Sequence, residues 1–349
     1  MLDNAGGGRR GLRAEPSAAL LEALYRHYRI DARNAMTDLG GSSSLNLRVN
    51  DGHKPYVVRV HRPYVTEARL GAIHHVRSQL ALHGIPCSTV ISTADGQSCI
   101  RLGERLMEVE AYIEHDSSMD SWARLKTGLP LLGTMHTILR HIELDDADQK
   151  PLFANHIEPA EALAKTLKGI QRIRAWNPSA EDEQLAKDSE ALAQLVYSAE
   201  QAFAGQLPRQ LVHGDFWDNN VLFRDGQIVL VADFDFMGER ARIDDLALTL
   251  YFALLSLTSI EDGISEAVMG ELRTLVEAYE QGLGERLTKE ERAALPLAIA
   301  RQPLWSVGGW IRLLDDEGSA RQHASATGGE VAFMLRSMRA LERWQAAFV

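Results

Sequence analysis

The sequence predicts an α+β fold of two unequal lobes, a small sheet-rich one followed by a large helical one. Three observations predict it. From residue 30 to 112, apolar residues mostly alternate with polar ones at period two, the signature of half-buried strands. Past Tyr112 the apolar spacing changes to the 3.6-residue period of amphipathic helices. The exception to that helical run is "NVLFRDGQIVLVADFDF", two apolar stretches joined at Asp225-Gly226, which is a short-range hairpin signal.

Taken in order, residues 1–16 are Gly, Arg and small polar residues and read as a flexible tail, residues 17–112 as the small lobe and 113–349 as the large one. The tail contains "GGGRRG", which matches G-x-G-x-x-G in letters only, because no strand precedes it. Ala18 to Tyr28 has helical spacing. "LNLRV", "YVVRV", "STVIS", "SCIRL" and "RLMEVEAYI" read as strands, separated in part by Asn50-Asp51-Gly52, Asp95-Gly96 and Gly103-Glu104. One helix interrupts them, from the N-cap Thr66 to His83, where Gly84 and Pro86 stop it. In the large lobe, helical patterns cover about 118–141, 157–173, 181–204, 243–258, 263–283 and 328–348.

Bulk properties narrow the function. With 349 residues and 45% hydrophobic content the chain can bury a sizeable core. A net charge of −11, from 48 acidic against 37 basic residues, argues against a general nucleic-acid binder, whose footprint is a basic face. Cys87 and Cys99 are too few for a disulfide framework, and the N-terminus lacks an apolar leader, so a cytoplasmic location is expected. The longest apolar stretch, Leu246 to Leu257, is too short to span a bilayer and reads as a buried helix. Nothing in the sequence sets an oligomeric state.

The chemistry concentrates in "LVHGDFWDNNVLF", where a His, two Asp and two Asn fall among strand formers. His213, Asp215 and Asn220 have the spacing H-x-D-x-x-x-x-N of a kinase catalytic loop, in which the Asp accepts the proton of the attacking hydroxyl and the Asn reaches a Mg²⁺. The hairpin that follows returns Asp233 to the same place, as a second oxygen ligand for Mg²⁺. Such a set suits phosphoryl transfer, whose transition state is mostly spread negative charge to be positioned and neutralised. Loops of the G-x-x-x-x-G-K-[ST], H-E-x-x-H and G-x-S-x-G types are absent from the sequence.

"HGDFWDNN" followed by "VADFD" and "RIDDLALTLY" resembles the aminoglycoside phosphotransferase and choline kinase-like branch of the protein-kinase-like fold, whose loop reads H-G-D. "LLGTMH" resembles that family's helix beneath the cleft and "YVVRV" its third strand, so the likeness covers roughly residues 37–255. The resemblance implies a bilobal protein-kinase-like fold with Asp215 as base and Asn220 and Asp233 as Mg²⁺ ligands. It implies Arg59 on the nucleotide phosphates, and Gly41, Ser42 and Ser43 as a turn whose N–H groups approach phosphate oxygens. The crossing between lobes, Glu110 to Ile113 with Tyr112, would offer its backbone to a purine edge. The implied reaction moves the γ-phosphate of ATP or GTP to a hydroxyl of a small molecule, an antibiotic such as an aminoglycoside or another sugar-bearing compound. Alternatives are a metabolic kinase of homoserine, an amino alcohol or a sugar, a bacterial Ser/Thr protein kinase of the same branch, and a nucleotide-binding module without turnover. No A-P-E segment follows "DFD", which speaks against an extended activation segment.

One departure stands out. The family carries on its first helix a Glu that pairs with the strand-three cation, and here that neighbourhood is Ile73 and His74. Glu67 lies a turn or two too early, so either the pairing is displaced or Arg59 does without it. His213 and His136 read as hydrogen-bonded packing residues, and Asp245 as a tether for the loop. Asp235 either assists the metal, lies behind it or is a surface residue. Trp305 and Trp310 read as core residues before acceptor contacts, and "EDEQLAKDSE" as a solvated helix face.

Overall fold

The computed structural model describes residues 13–32, 36–41, 44–145, 155–260, 264–314 and 316–348. Ser42, Ser43 and most of the expected tail lie outside the described residues.

A short helix, α1 (Ala18–Ala23), runs into a π-helical turn ending at Tyr28. The five strands of the small lobe are β1 (Met36–Asp38), β2 (Leu45–Asn50), β3 (Pro55–Val60), and, after helix α2 (Glu67–Leu82), β4 (Ile100–Leu102) and β5 (Arg105–Ala111). They form an antiparallel sheet in the order β1-β2-β3-β5-β4, with Arg59 opposite Glu108 and Val57 opposite Glu110. Alternation sorts the sheet faces: Leu45, Leu47, Val49, Val58, Val60, Met107 and Val109 bury against Leu20 and Leu24. Arg59, Glu108 and Glu110 therefore share the other face.

Helix α2 begins as expected, with Thr66 Oγ1 accepting the Arg69 N–H at 3.1 Å, and ends at Gly84 with φ +84°. Its apolar residues Ile73, Val76 and Leu80 join the core of the large lobe, not that of the sheet. The expected strand at 88–92 is reduced to a single bridge between Val90 and Glu110, while β1, whose residues are all exposed, carries no apolar pattern and escaped the sequence reading.

The large lobe opens with β6 (Ser117–Ser118), α3 (Trp122–Leu139), α4 (Pro159–Ala175) and α5 (Ala180–Glu200). Next come β7 (Arg209–Val212), β8 (Val221–Arg224), β9 (Gln227–Val231) and β10 (Gly238–Ala241). The β8–β9 hairpin turns at Asp225 and Gly226, whose φ of 51° and 76° match the type I′ turn that Asp-Gly announces. Helices α6 (Arg242–Leu257), α7 (Glu266–Leu283), α8 (Lys289–Arg301), α9 (Glu317–Ser337) and α10 (Leu341–Phe348) complete it. Helix α6 is buried almost all round, as its unbroken apolar run requires. Sequence periodicity missed α8, which has Pro296 in its interior, and joined the C-terminal helices that a turn at Met338–Ala340 separates. No helix among the described residues is long and apolar enough to cross a membrane.

Candidate active site

The loop after β7 is shaped by a glycine and two helix-borne anchors. Gly214 has φ +79°, and a Cβ there would collide with the Phe236 carbonyl oxygen and stand 3.0 Å from the Arg240 guanidinium, which itself donates to Phe236 O at 2.7 Å. Only glycine fits. Asp245 on α6 accepts the main-chain N–H of His213 and of Gly214, both at 2.9 Å, and lies 3.1 Å from His136 Nε2 on α3. Although burial works against its charge, the hydrogen bond from His136 keeps the Asp245 carboxyl below the usual carboxylate range. The His213 ring accepts the Asp215 N–H at Nδ1, 3.2 Å, and donates from Nε2 to Ala232 O, 3.1 Å. Both nitrogens are thus committed to backbone in a single neutral tautomer, and burial pushes its pKa down. His213 and His136 are structural, as the sequence suggests.

Asp215 is 5% exposed. Oδ1 accepts from Asn155 Nδ2 at 2.6 Å and Oδ2 from Asn220 Nδ2 at 2.8 Å. Burial, together with the negative charge of Asp233, pushes the Asp215 carboxyl up to about 8, against the two amide hydrogen bonds that favour ionisation. A cation between these carboxylates would relieve that repulsion, which is the electrostatic case for a metal here. Asn220 has its amide nitrogen engaged at Asp215, so its oxygen is the group left to face such a cation. Asp233 adopts φ +62° just past the end of β9, in a conformation uncommon for a non-glycine residue, and its side chain is 31% exposed. An amide oxygen and a carboxylate are the hard donors that Mg²⁺ takes, with water and phosphate filling the remaining positions.

Arg59 joins this group from β3. Its NH1 lies 3.3 Å from Asp233 Oδ1 and 3.5 Å from Asp235 Oδ1, and the charges of Asp233 and Asp235 hold its proton more tightly despite burial. Asp235 is a hub: Arg62 NH2 donates to it at 3.1 Å and Ser44 Oγ reaches it at 3.5 Å. Burial opposes its charge, yet Arg59 and Arg62 bring its pKa down to about 2. Arg69 on α2 donates to the carbonyls of Asp235 and Met237, at 3.1 and 2.6 Å. Gly41 has φ +109°, and a Cβ there would sit 2.6 Å from Asn46 Nδ2 and 3.0 Å from Ser44 O.

Two expected nucleotide contacts look different in place. The Glu110 side chain accepts from Arg77 at 2.8 Å and from the Ser88 hydroxyl. Tyr112 lies under the Arg48 guanidinium, 4.4 Å from the ring centroid, and its N–H points to Pro55 O at 3.4 Å. The Ala111 N–H donates to Thr89 O at 2.9 Å, so much of this backbone already has protein partners. Glu67 pairs on the surface with Arg101, at 2.7 Å, and Trp310 is buried in the core. Sequence reasoning missed Asn155, Arg62 and Glu108. The repeat of Arg in "VRVHRP" was a usable signal for Arg62, whereas Asn155 has none.

The profile of the phosphotransferase enzyme family (APH) matches residues 36–295, three quarters of the chain, including every strand and helix that forms this cleft. The chain belongs to that family. This phosphotransferase is an enzyme that transfers phosphate to an alcohol group, and its fold is the bilobal protein-kinase-like one. Among solved structures it resembles amicoumacin kinase hAmiN, in complex with AMP-PNP, Ca²⁺ and Ami, at 15% identity and a TM-score of 0.67, over 91% of this chain and 93% of that one. A microcompartment-associated aminopropanol kinase matches at 18% identity and TM-score 0.67, over 93% and 98%. Spectinomycin phosphotransferase APH(9)-Ia, in complex with ADP and spectinomycin, matches at 16% identity and TM-score 0.54, over 93% and 99%.

Proposed function

We propose that this phosphotransferase moves the γ-phosphate of ATP or GTP to a hydroxyl of a small molecule in a Mg²⁺-dependent reaction. The observation that carries the reading is the convergence of Asp215, Asn220, Asp233 and Arg59 from three separate segments onto one cleft. Asp215 is the base: two amides fix its carboxylate, and a pKa raised toward neutrality matches a group that must take a proton near physiological pH. Asn220 and Asp233 hold Mg²⁺, which when bound neutralises charge on the β- and γ-phosphate oxygens. Arg59 reaches the same phosphates, and the turn at Gly41, Ser42 and Ser43 brings main-chain N–H groups toward them. The purine rests along Glu110 to Ile113 with Tyr112.

The acceptor enters between the catalytic loop and the C-terminal helices. Two of the similar proteins are named for an antibiotic and a third for an amino alcohol, which supports a small hydroxyl compound and makes antibiotics and amino alcohols the first to assay. The test combines labelled nucleotide, Mg²⁺ and a panel of both acceptor types with the parent and Asp215→Asn. The variant is expected to retain nucleotide binding and to lose roughly 10²- to 10⁴-fold in turnover. Turnover equal to the parent removes Asp215 from the role of base. Label appearing in polypeptide instead of a small molecule replaces this reading with a protein kinase.

A further inference from the structure

The resemblance drawn from the sequence implies a helix carboxylate paired with the strand-three cation, and here the helix offers bases instead. Two rungs join α2 to β5: His74 Nε2 lies 2.5 Å from Glu108 Oε2, and Arg77 NH1 lies 2.8 Å from Glu110 Oε1. The polarity of the helix–sheet contact is inverted. His61, just past β3, braces the other oxygen of Glu108, Nε2 to Oε1 at 3.0 Å. Glu108 is 1% exposed, and although burial disfavours its charge, the hydrogen bonds from His61 and His74 keep its carboxyl well below the usual range. A fully buried anion held by two imidazoles is costly to build for packing alone.

Its position gives it a purpose. Glu108 stands directly opposite Arg59 in the β3–β5 ladder, and such cross-strand neighbours have Cβ atoms about 4.5–5.5 Å apart on one face. Among the described residues Arg59 makes both its long contacts, to Asp233 and Asp235, through the single nitrogen NH1, while its buried Nε has no hydrogen-bond partner there. Once Asp233 is drawn to a divalent ion, a guanidinium on a flexible stem needs another fixed negative charge to keep its aim. We propose that Glu108 is that charge: it positions Arg59 from strand β5, in place of the helix carboxylate, with His61 and His74 locking it. The proposal rests on the reading of Arg59 as a phosphate-binding residue.

The experiment uses the full chain and the fluorescent nucleotide mant-ATP, titrated with and without Mg²⁺, alongside thermal unfolding. Glu108→Gln is expected to weaken mant-ATP roughly tenfold, in the range that supporting partners of a binding residue command. In an Arg59→Ala background the same change is expected to add nothing, because Glu108 acts through Arg59. The double variant His74→Glu with Glu108→Gln returns a carboxylate to the helix and is expected to recover most of the affinity. Parent-like binding by Glu108→Gln, or an undiminished further loss in the Arg59→Ala background, overturns the proposal. If Glu108→Gln does not fold, Glu108→Asp withdraws the charge by one methylene; a loss of about threefold or more supports the proposal and an unchanged affinity overturns it. A parent that does not bind mant-ATP at all refutes the nucleotide reading itself, separately from Glu108.

Discussion

The Nδ2 of Asn220 stands 2.8 Å from the Oδ2 of Asp215 and 2.9 Å from that residue's main-chain oxygen, so one amide fixes both the side chain and the backbone of Asp215. Asn155, from beyond the catalytic loop, closes on the other carboxylate oxygen at 2.6 Å. Removing this second clamp in Asn155→Ala frees the carboxylate to rotate without touching the nucleotide side. Steady-state kinetics are expected to show kcat lower by about tenfold, with KM for the nucleotide unchanged.

Gly214 is a steric test of the loop. Gly214→Ala meets both a left-handed φ of +79° and the carbonyl of Phe236, so the urea midpoint is expected to report a loss of at least about 2 kcal/mol. Gly205 has φ +72° with nothing within 4 Å of where an added methyl group would stand, and Gly205→Ala is expected to cost only about 1 kcal/mol. Equal losses would show that the Phe236 contact does not matter.

Asp245 ties the loop to α6. Asp245→Ala leaves the N–H groups of His213 and Gly214 buried without their acceptor, and His136 without its carboxylate. A loss of about 3–5 kcal/mol in chemical denaturation is expected, with activity falling in the same variant because the loop carries Asp215.

Glu330 on α9 sets a pH dependence of its own. Burial pushes its carboxyl up to about 6, partly offset by the hydrogen bond from Tyr251 at 2.5 Å. The folded state therefore binds its proton more tightly than the unfolded chain, whose carboxyl titrates near 4.5. Stability from this group is full below pH 4.5 and is lost as pH rises through about 6. Because the residue keeps partial exposure, the loss is about 1–2 kcal/mol. Thermal unfolding of Glu330→Gln, compared with the parent between pH 4 and 7, is expected to lack this slope.

Local signals in the sequence were faithful where local physics decides the outcome. The Asp225-Gly226 turn, the Thr66 cap, the Gly84 stop and the spacing that puts Asn220 beside Asp215 all arise from residues close in the chain. The 88–92 stretch shows the limit: its β-branched Thr89, Val90 and Ile91 suit a strand, but among the described residues only Val90 forms a bridge, to Glu110. Contacts between distant segments left no trace. Asn155 reaches Asp215 across 60 positions and His74 reaches Glu108 across 34, and neither pairing imposes a period or a turn residue on the chain. The substitution of His74 for an acid was visible, yet its compensation from a strand was not.

Arg59, Arg62 and Arg69, all from the small lobe, grip Asp235 or the carbonyls beside it, two residues from Asp233. Asn220, by contrast, is fastened within the large lobe by its own loop. The segment that carries Asp233 stays tied to that loop, since the Ala232 N–H donates to Asn220 O at 2.8 Å. The three arginines therefore clasp the small lobe onto a unit in which residues 220 and 233 travel together.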